Sequence, residues 1–151
     1  MRTQKIYLET TMFNFYFDTG REAHTATVKL FNEIAMGKYE AYTSRTVIEE
    51  LEKTKSDKRD KMLRLIADIG IPIIESSVEA ERLADIYVEK RVLPIRYRTD
   101  GLHIAIAAVN NLDIIISMNF QHIVRMKTIR MTTAINLLTV IVLLKFIRQW
   151  R

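Results

Sequence analysis

Four oxygen-bearing side chains stand at places where this 151-residue chain can do chemistry: Glu9, Glu50, Asp100 and Asn119. Glu9 follows the short apolar run Lys5–Leu8, and Asn119 follows the β-branched run Ile114–Ile116. Asp100 leads the apolar stretch that begins at Leu102, and Glu50 lies early in the helix expected after a second strand. If the two runs are neighbouring parallel strands, Glu9 and Asn119 leave the sheet at its carboxyl edge. Open α/β sheets place their sites there. Hard divalent cations take oxygen ligands, and Mg²⁺ combines a few carboxylates with waters and substrate phosphate. Such a set with Mg²⁺ or Mn²⁺ activates water for phosphodiester hydrolysis. Spacing by itself does not establish the cluster, because any α/β chain of this length scatters acids.

The elements that must position these residues can be read from periodicity. The stretch Leu102–Val109 is apolar nearly all round, as a helix buried within a domain is. Thr99 is its expected N-cap, which puts Asp100 in the first turn, where the helix dipole favours an anion. Ile114–Ile116 suits a parallel strand covered on both faces. Earlier, Lys5–Leu8, Tyr39–Thr43 and Ile71–Ile74 read as strands. Glu22–Met36 reads as an amphipathic helix closed by Gly37, and Ser44 and one of Ser76 or Ser77 as helix caps. The aromatic Met12–Phe17 is expected as a helical turn under the sheet, more core or dimer surface than base-stacking platform. Strands alternating with helices give an α/β fold with a mainly parallel sheet. The chain carries neither a repeat nor a dividing linker.

The totals narrow the classes. With no cysteine, disulfide frameworks, thiolate metal sites and thiol nucleophiles are excluded. Four glycines leave no glycine-rich phosphate loop, which counts against a small-molecule enzyme on a similar sheet. Twenty-three Lys and Arg against 18 Asp and Glu, net +5, lean towards a polyanionic partner. The run Lys53–Arg64 is expected as a solvated helix face rather than a nucleic-acid patch. Arg96, Arg98, Arg125, Lys127 and Arg130 are the better candidates for phosphate contacts, because they lie near the proposed cleft. His103 is expected as a core residue with a satisfied hydrogen bond, although it shares the helical face of Asp100. His122 is expected to support the loop after Asn119. Thr10, Thr11 and Ser44 are caps by default, with Thr10 the one expected to touch a metal-bound water. Neither a signal peptide nor a membrane span is expected, and the expected location is the cytoplasm.

Four segments resemble PIN-domain proteins, a family of RNase H-like metal-dependent nucleases that includes the toxin ribonucleases of toxin–antitoxin pairs. They are Ile6-Tyr-Leu-Glu-Thr-Thr11, Thr43-Ser-Arg-Thr-Val-Ile-Glu-Glu-Leu51, Asp100-Gly-Leu-His-Ile-Ala-Ile-Ala107 and Ile115-Ile-Ser-Met-Asn-Phe-Gln-His-Ile-Val124. The resemblance spans residues 5 to about 136. It implies a three-layer α/β/α domain over residues 1–139 with a central sheet of four to five strands. It also implies catalytic Glu9, Glu50 and Asp100 holding Mg²⁺ or Mn²⁺ with Asn119, and Glu49 as the solvent-side neighbour. Glu9 stands where the family has Asp, and Asn119 where it often has Asp. An RNA substrate, an antitoxin protein and a homodimer follow as expected partners. The alternative is a catalytically degraded module that binds RNA or a protein without cutting.

Residues 140–151 depart from the family, whose corresponding sub-branch ends in a Gly-Tyr-x-Pro turn and a short strand. Read with one added nucleotide after the Thr139 codon, codons permitted by this peptide encode such an ending. The tail is therefore expected to be a shifted reading frame without evolved function. The competing reading makes Val140–Leu144 an edge strand of high β propensity.

Overall fold

Parallel pairing joins every neighbouring pair of strands in the computed structural model, which describes residues 2–138 and 145–148. The strands are β1 (Lys5–Leu8), β2 (Glu40–Ser44), β3 (Ile73–Ile74), β4 (Ile114–Ser117) and β5 (Lys145–Arg148). Their order across the sheet is β3-β2-β1-β4-β5. Tyr7 of β1 pairs with Tyr42 on one side and Ile115 on the other. The chain moves outward from β1 to β3 and then returns to the far side of β1, so the switch in direction falls between β1 and β4. Glu9 leaves the sheet at that switch, with its backbone N–H donating to the Ile116 carbonyl at 3.2 Å. Val140–Leu144, read above as an edge strand, lies outside the described residues.

The helices are α1 (Thr10–Phe17), α2 (His24–Ala35), α3 (Arg45–Glu52), α4 (Ser56–Ile69), α5 (Val78–Glu89), α6 (Arg98–Val109) and α7 (Met126–Leu138). They complete a three-layer α/β/α arrangement. β4 is buried along its whole length, and so are all residues of α6 from Gly101 to Ala108. A strand and a helix without a polar face have no stable place except the middle of the molecule. Gly101 permits the close approach of α6 to α5, since a Cβ there would lie 3.2 Å from Leu93 and 3.4 Å from Tyr87. Ser44 and Ser77 cap α3 and α5 by accepting from Val47 and Ala80 N–H groups. Met12 and Phe13 are buried in α1, and the basic side chains of α4 flank an inner stripe at Met62 and Ile66. No helix among the described residues is long and apolar enough to cross a membrane.

Thr99 does not cap α6. A 3-10 turn at Ile95–Tyr97 follows Pro94 and feeds straight into the helix, which begins two residues earlier than expected, at Arg98. Thr99 is therefore exposed inside the first turn, and Asp100 keeps its first-turn place.

Candidate active site

Glu9 sits at the β1–β4 switch and is 3% exposed. Its extra methylene lets the carboxylate fold back over α1, where it acts as the N-cap by accepting from the Thr11 N–H. Oε1 also accepts from the hydroxyls of Thr11 at 2.5 Å and Ser117 at 2.6 Å. Burial raises the Glu9 pKa, opposed by the charge of His103 and by the Ser117 and Thr11 hydrogen bonds. Glu9 thus knits the ends of β1 and β4 together, its Oε1 taken up as an acceptor by Thr11 and Ser117.

Glu50 arrives from α3. Thr46, Val47, Ile48 and Leu51 are buried and Glu49 is exposed, while Glu50 is part-buried between them. Its Oε1 accepts from the Thr10 hydroxyl at 2.6 Å and from His103 Nε2 at 2.6 Å. Burial pushes its pKa up, but the His103 hydrogen bond and charge, with Thr10 and Lys53, outweigh this and hold it below the ordinary value. Behind His103, Nδ1 lies 2.6 Å from the Tyr7 hydroxyl, which lies 2.8 Å from Ser44 Oγ. Ser44, Tyr7, His103 and Glu50 therefore form one polar line from a helix cap to the cleft. Three of its four members are buried.

Asp100 approaches from the start of α6. His122 Nδ1 lies 3.0 Å from its Oδ2, and the Asn119 side chain also hydrogen-bonds it. Asn119 Oδ1 accepts from the His122 N–H at 3.0 Å, so the amide turns its NH₂ donor to Asp100. Burial raises the Asp100 pKa, against the charges of His103 and His122 and the Asn119 bond, while the charge of Glu50 adds to the rise. His122 is itself stacked on Tyr97, with ring centres 3.9 Å apart.

The expected residues thus meet at one end of the sheet, with His103 at the centre. Burial lowers the His103 pKa, yet the Glu50 hydrogen bond and the charges of Glu9, Glu50 and Asp100 overcome it and raise the value. His103 is both the satisfied core histidine expected and a partner of the acids. Periodicity missed Tyr7, Ser117 and the His122–Asp100 pair. The signal for Tyr7 was its place two residues before Glu9 along extended backbone, which sends both side chains to one side. Arg98, expected among the phosphate contacts, is paired instead with Asp85 at 2.7 Å and with Glu81 at 3.1 Å.

Linkage sets a testable sign. The folded state holds the His103 proton to higher pH than the unfolded chain does. That stabilisation is complete below about 6.5, the unfolded value, and is lost as pH climbs through the raised folded value. Denaturant unfolding at a series of pH values is expected to show stability falling across that window, by at most about 1.4 kcal/mol per pH unit. His103→Gln should flatten the fall, and an unchanged slope would assign the titration elsewhere.

The donor set is of the right kind for a hard divalent ion. Glu50 and Asp100 have side chains 33% and 17% exposed and repel each other electrostatically, which a shared cation would relieve. No group of three acid or imidazole side chains among the described residues is already gathered as a metal cage. Two carboxylates supplemented by water and phosphate are the arrangement Mg²⁺ uses in phosphoryl chemistry.

Neither a family model nor a curated protein sequence matches the chain. Solved structures that share its fold include two complexes. One is a crystal structure of VapBC2 from Rickettsia felis bound to a DNA fragment from their promoter. That match has a TM-score of 0.62 and 15% identity, over 98% of this chain and 100% of the other. The second is a DNA-bound VapBC from Salmonella typhimurium, with a TM-score of 0.60 and 14% identity over 97% and 99% of the two chains. At that identity the likeness establishes the fold.

Proposed function

From a PIN-like fold with two part-open carboxylates at its sheet switch, we infer that this chain is a divalent-metal-dependent ribonuclease. We place it as the toxin of a toxin–antitoxin pair, with an antitoxin protein as its second partner. The observation that carries the reading is that Glu50 and Asp100, fifty residues apart in sequence, both stand beside His103, with the charge of Glu50 acting on Asp100. These two would hold Mg²⁺ or Mn²⁺. Lewis-acid polarisation of a phosphate and activation of water are the chemistry the ion supplies when bound.

The chain's own groups prepare that place. Glu50, with its pKa held down, is ionised at neutral pH, and Thr10 and His103 fix its direction. Asn119 orients Asp100 through its NH₂ donor and is itself anchored by the His122 backbone. Glu9 acts from behind as negative charge next to His103 and as the tie between the strand ends. The three acids favour the protonated form of His103, and that form in turn tempers their mutual repulsion.

One observation favours the second reading, a binding module that does not cut. Glu50 and Asp100 each already carry an imidazole partner. Chelation separates the two. The purified chain is expected to cleave RNA with Mn²⁺ or Mg²⁺, to stop in EDTA, and to resume when Mn²⁺ is returned in excess. RNA bound but intact under every metal condition would establish the second reading instead.

A further inference from the structure

We propose that the cleft between the end of α5, the turn at Pro94–Ile95 and the start of α7 binds the sugar–phosphate backbone of single-stranded RNA beside the acid cluster. The proposal rests on the ribonuclease reading and names where its substrate lies. The cleft has a volume of 410 Å³; Val88, Pro94 and Ile95 are among its apolar lining, and Arg91, Arg125 and Lys127 bring positive charge. None of these three cations has a carboxylate partner among the described residues, whereas Arg2, Arg21, Arg45 and Arg98 are all paired. The Arg125 guanidinium is steadied by Thr128 Oγ1 at 3.3 Å.

Arg91 supplies an independent observation. The Val92 N–H donates to the Tyr87 carbonyl at 2.9 Å and the Arg91 N–H to that of Val88 at 3.0 Å, which is the Schellman ending of a helix. The residue at this turn lies in the left-handed region, and Arg91 has φ 59°. Glycine is favoured there, because a Cβ is strained. A bulky cation in a glycine position is the kind of strain that clusters at binding sites.

From this cleft the chain leads directly to the acids. The Arg96 guanidinium lies 5.1 Å from the Tyr97 ring centre, Tyr97 stacks on His122, and His122 meets Asp100. Tyr97 and His122 spend their facing rings on each other, so the track offers a strand its positive charge and leads it to the acids, where a scissile phosphate must lie. An acidic peptide would use the cations but has no reason to run on to the acids.

The test is fluorescence anisotropy with a labelled single-stranded RNA of about twelve nucleotides, in EDTA so that nothing is cut. Arg91→Gly combined with Arg125→Gln and Lys127→Gln is expected to weaken binding at least tenfold. The slope of log affinity against log salt should become shallower by about 2, as three lost single-strand phosphate contacts imply. Lys55→Gln with Lys61→Gln, at the start and on the body of α4, should bind as the wild type does. Arg91→Gly by itself should melt no lower than the wild type and yet bind severalfold more weakly, a combination that mere structural damage does not produce. Unchanged affinity in the triple variant or in Arg91→Gly, or an equal loss in the α4 control, would overturn the proposal. So would displacement of the RNA by poly-glutamate at equal charge concentration, which would point to an acidic protein. Adding Mn²⁺ separates the two claims. Groove-dependent binding without cleavage defeats the ribonuclease reading and leaves the groove standing. Cleavage by a wild type whose triple variant binds equally well does the reverse.

Discussion

Asp100→Asn is expected to lower metal-dependent RNA cleavage by on the order of 100-fold or more, the scale on which removing one electrostatic contact to a reacting centre is felt. The change is nearly isosteric and removes a single charge. Burial and the charge of Glu50 already make the ionised form of Asp100 costly, as its raised pKa records. A neutral amide therefore sits there without penalty to the fold, and melting should stay level or rise slightly. His122 loses an anionic partner but is part-exposed, so water can take up the hydrogen bond that the carboxylate held. Cleavage assays beside a thermal melt thus read the site separately from stability. Wild-type cleavage in Asp100→Asn would remove Asp100 from the chemistry.

His103→Ala is expected to cost about 3–5 kcal/mol, from a cavity in a close-packed interior together with two polar groups deprived of a partner. His103 is fully buried, and both ring nitrogens are engaged, one by Tyr7 and one by Glu50. For a chain of this size that corresponds to a fall in melting temperature of roughly 6–20 °C. Tyr7→Phe takes away one hydroxyl and leaves His103 Nδ1 and Ser44 Oγ each short of it. Its cost should be smaller, about 1–3 kcal/mol. Scanning calorimetry on both variants checks the order. A His103→Ala protein that melts with the wild type would mean that the polar line does not support the core.

Legibility in the sequence followed how local the deciding interaction is. The all-apolar α6 and the β-branched β4 declared their burial, because a segment without a polar face has few places to go. Ser44 and Ser77 declared themselves as caps for the same reason, since a cap bonds to an amide three residues on. The choice of Glu50 over Glu49 came from the family resemblance, since periodicity left both acids between the inward positions; in the structure Glu50 is the more covered of the two. Thr99 looked like a cap only because the turn after Pro94 leaves no mark in hydrophobic periodicity.

What pattern reading could not supply was set by partners distant in the chain. Arg98 was indistinguishable from Arg96 until Glu81 and Asp85 were seen across from it. Asn119 looked like a weakened acid, but the His122 N–H fixes its amide and turns a donor to Asp100. Glu9 looked like a longer aspartate, and its length instead serves to reach Thr11 and Ser117. The bland expectation for His103 was right about burial and silent about Glu50, because one side chain can satisfy the core and face the site.

The central claim is that Glu50 and Asp100 share one hard cation, and diffraction from crystals soaked in Mn²⁺ tests it directly. The predicted result is a single anomalous peak contacted by both carboxylates at the carboxyl end of β1 and β4. Soaked crystals in which Glu50 still engages His103, Asp100 still engages His122, and manganese is bound elsewhere or not at all would contradict it.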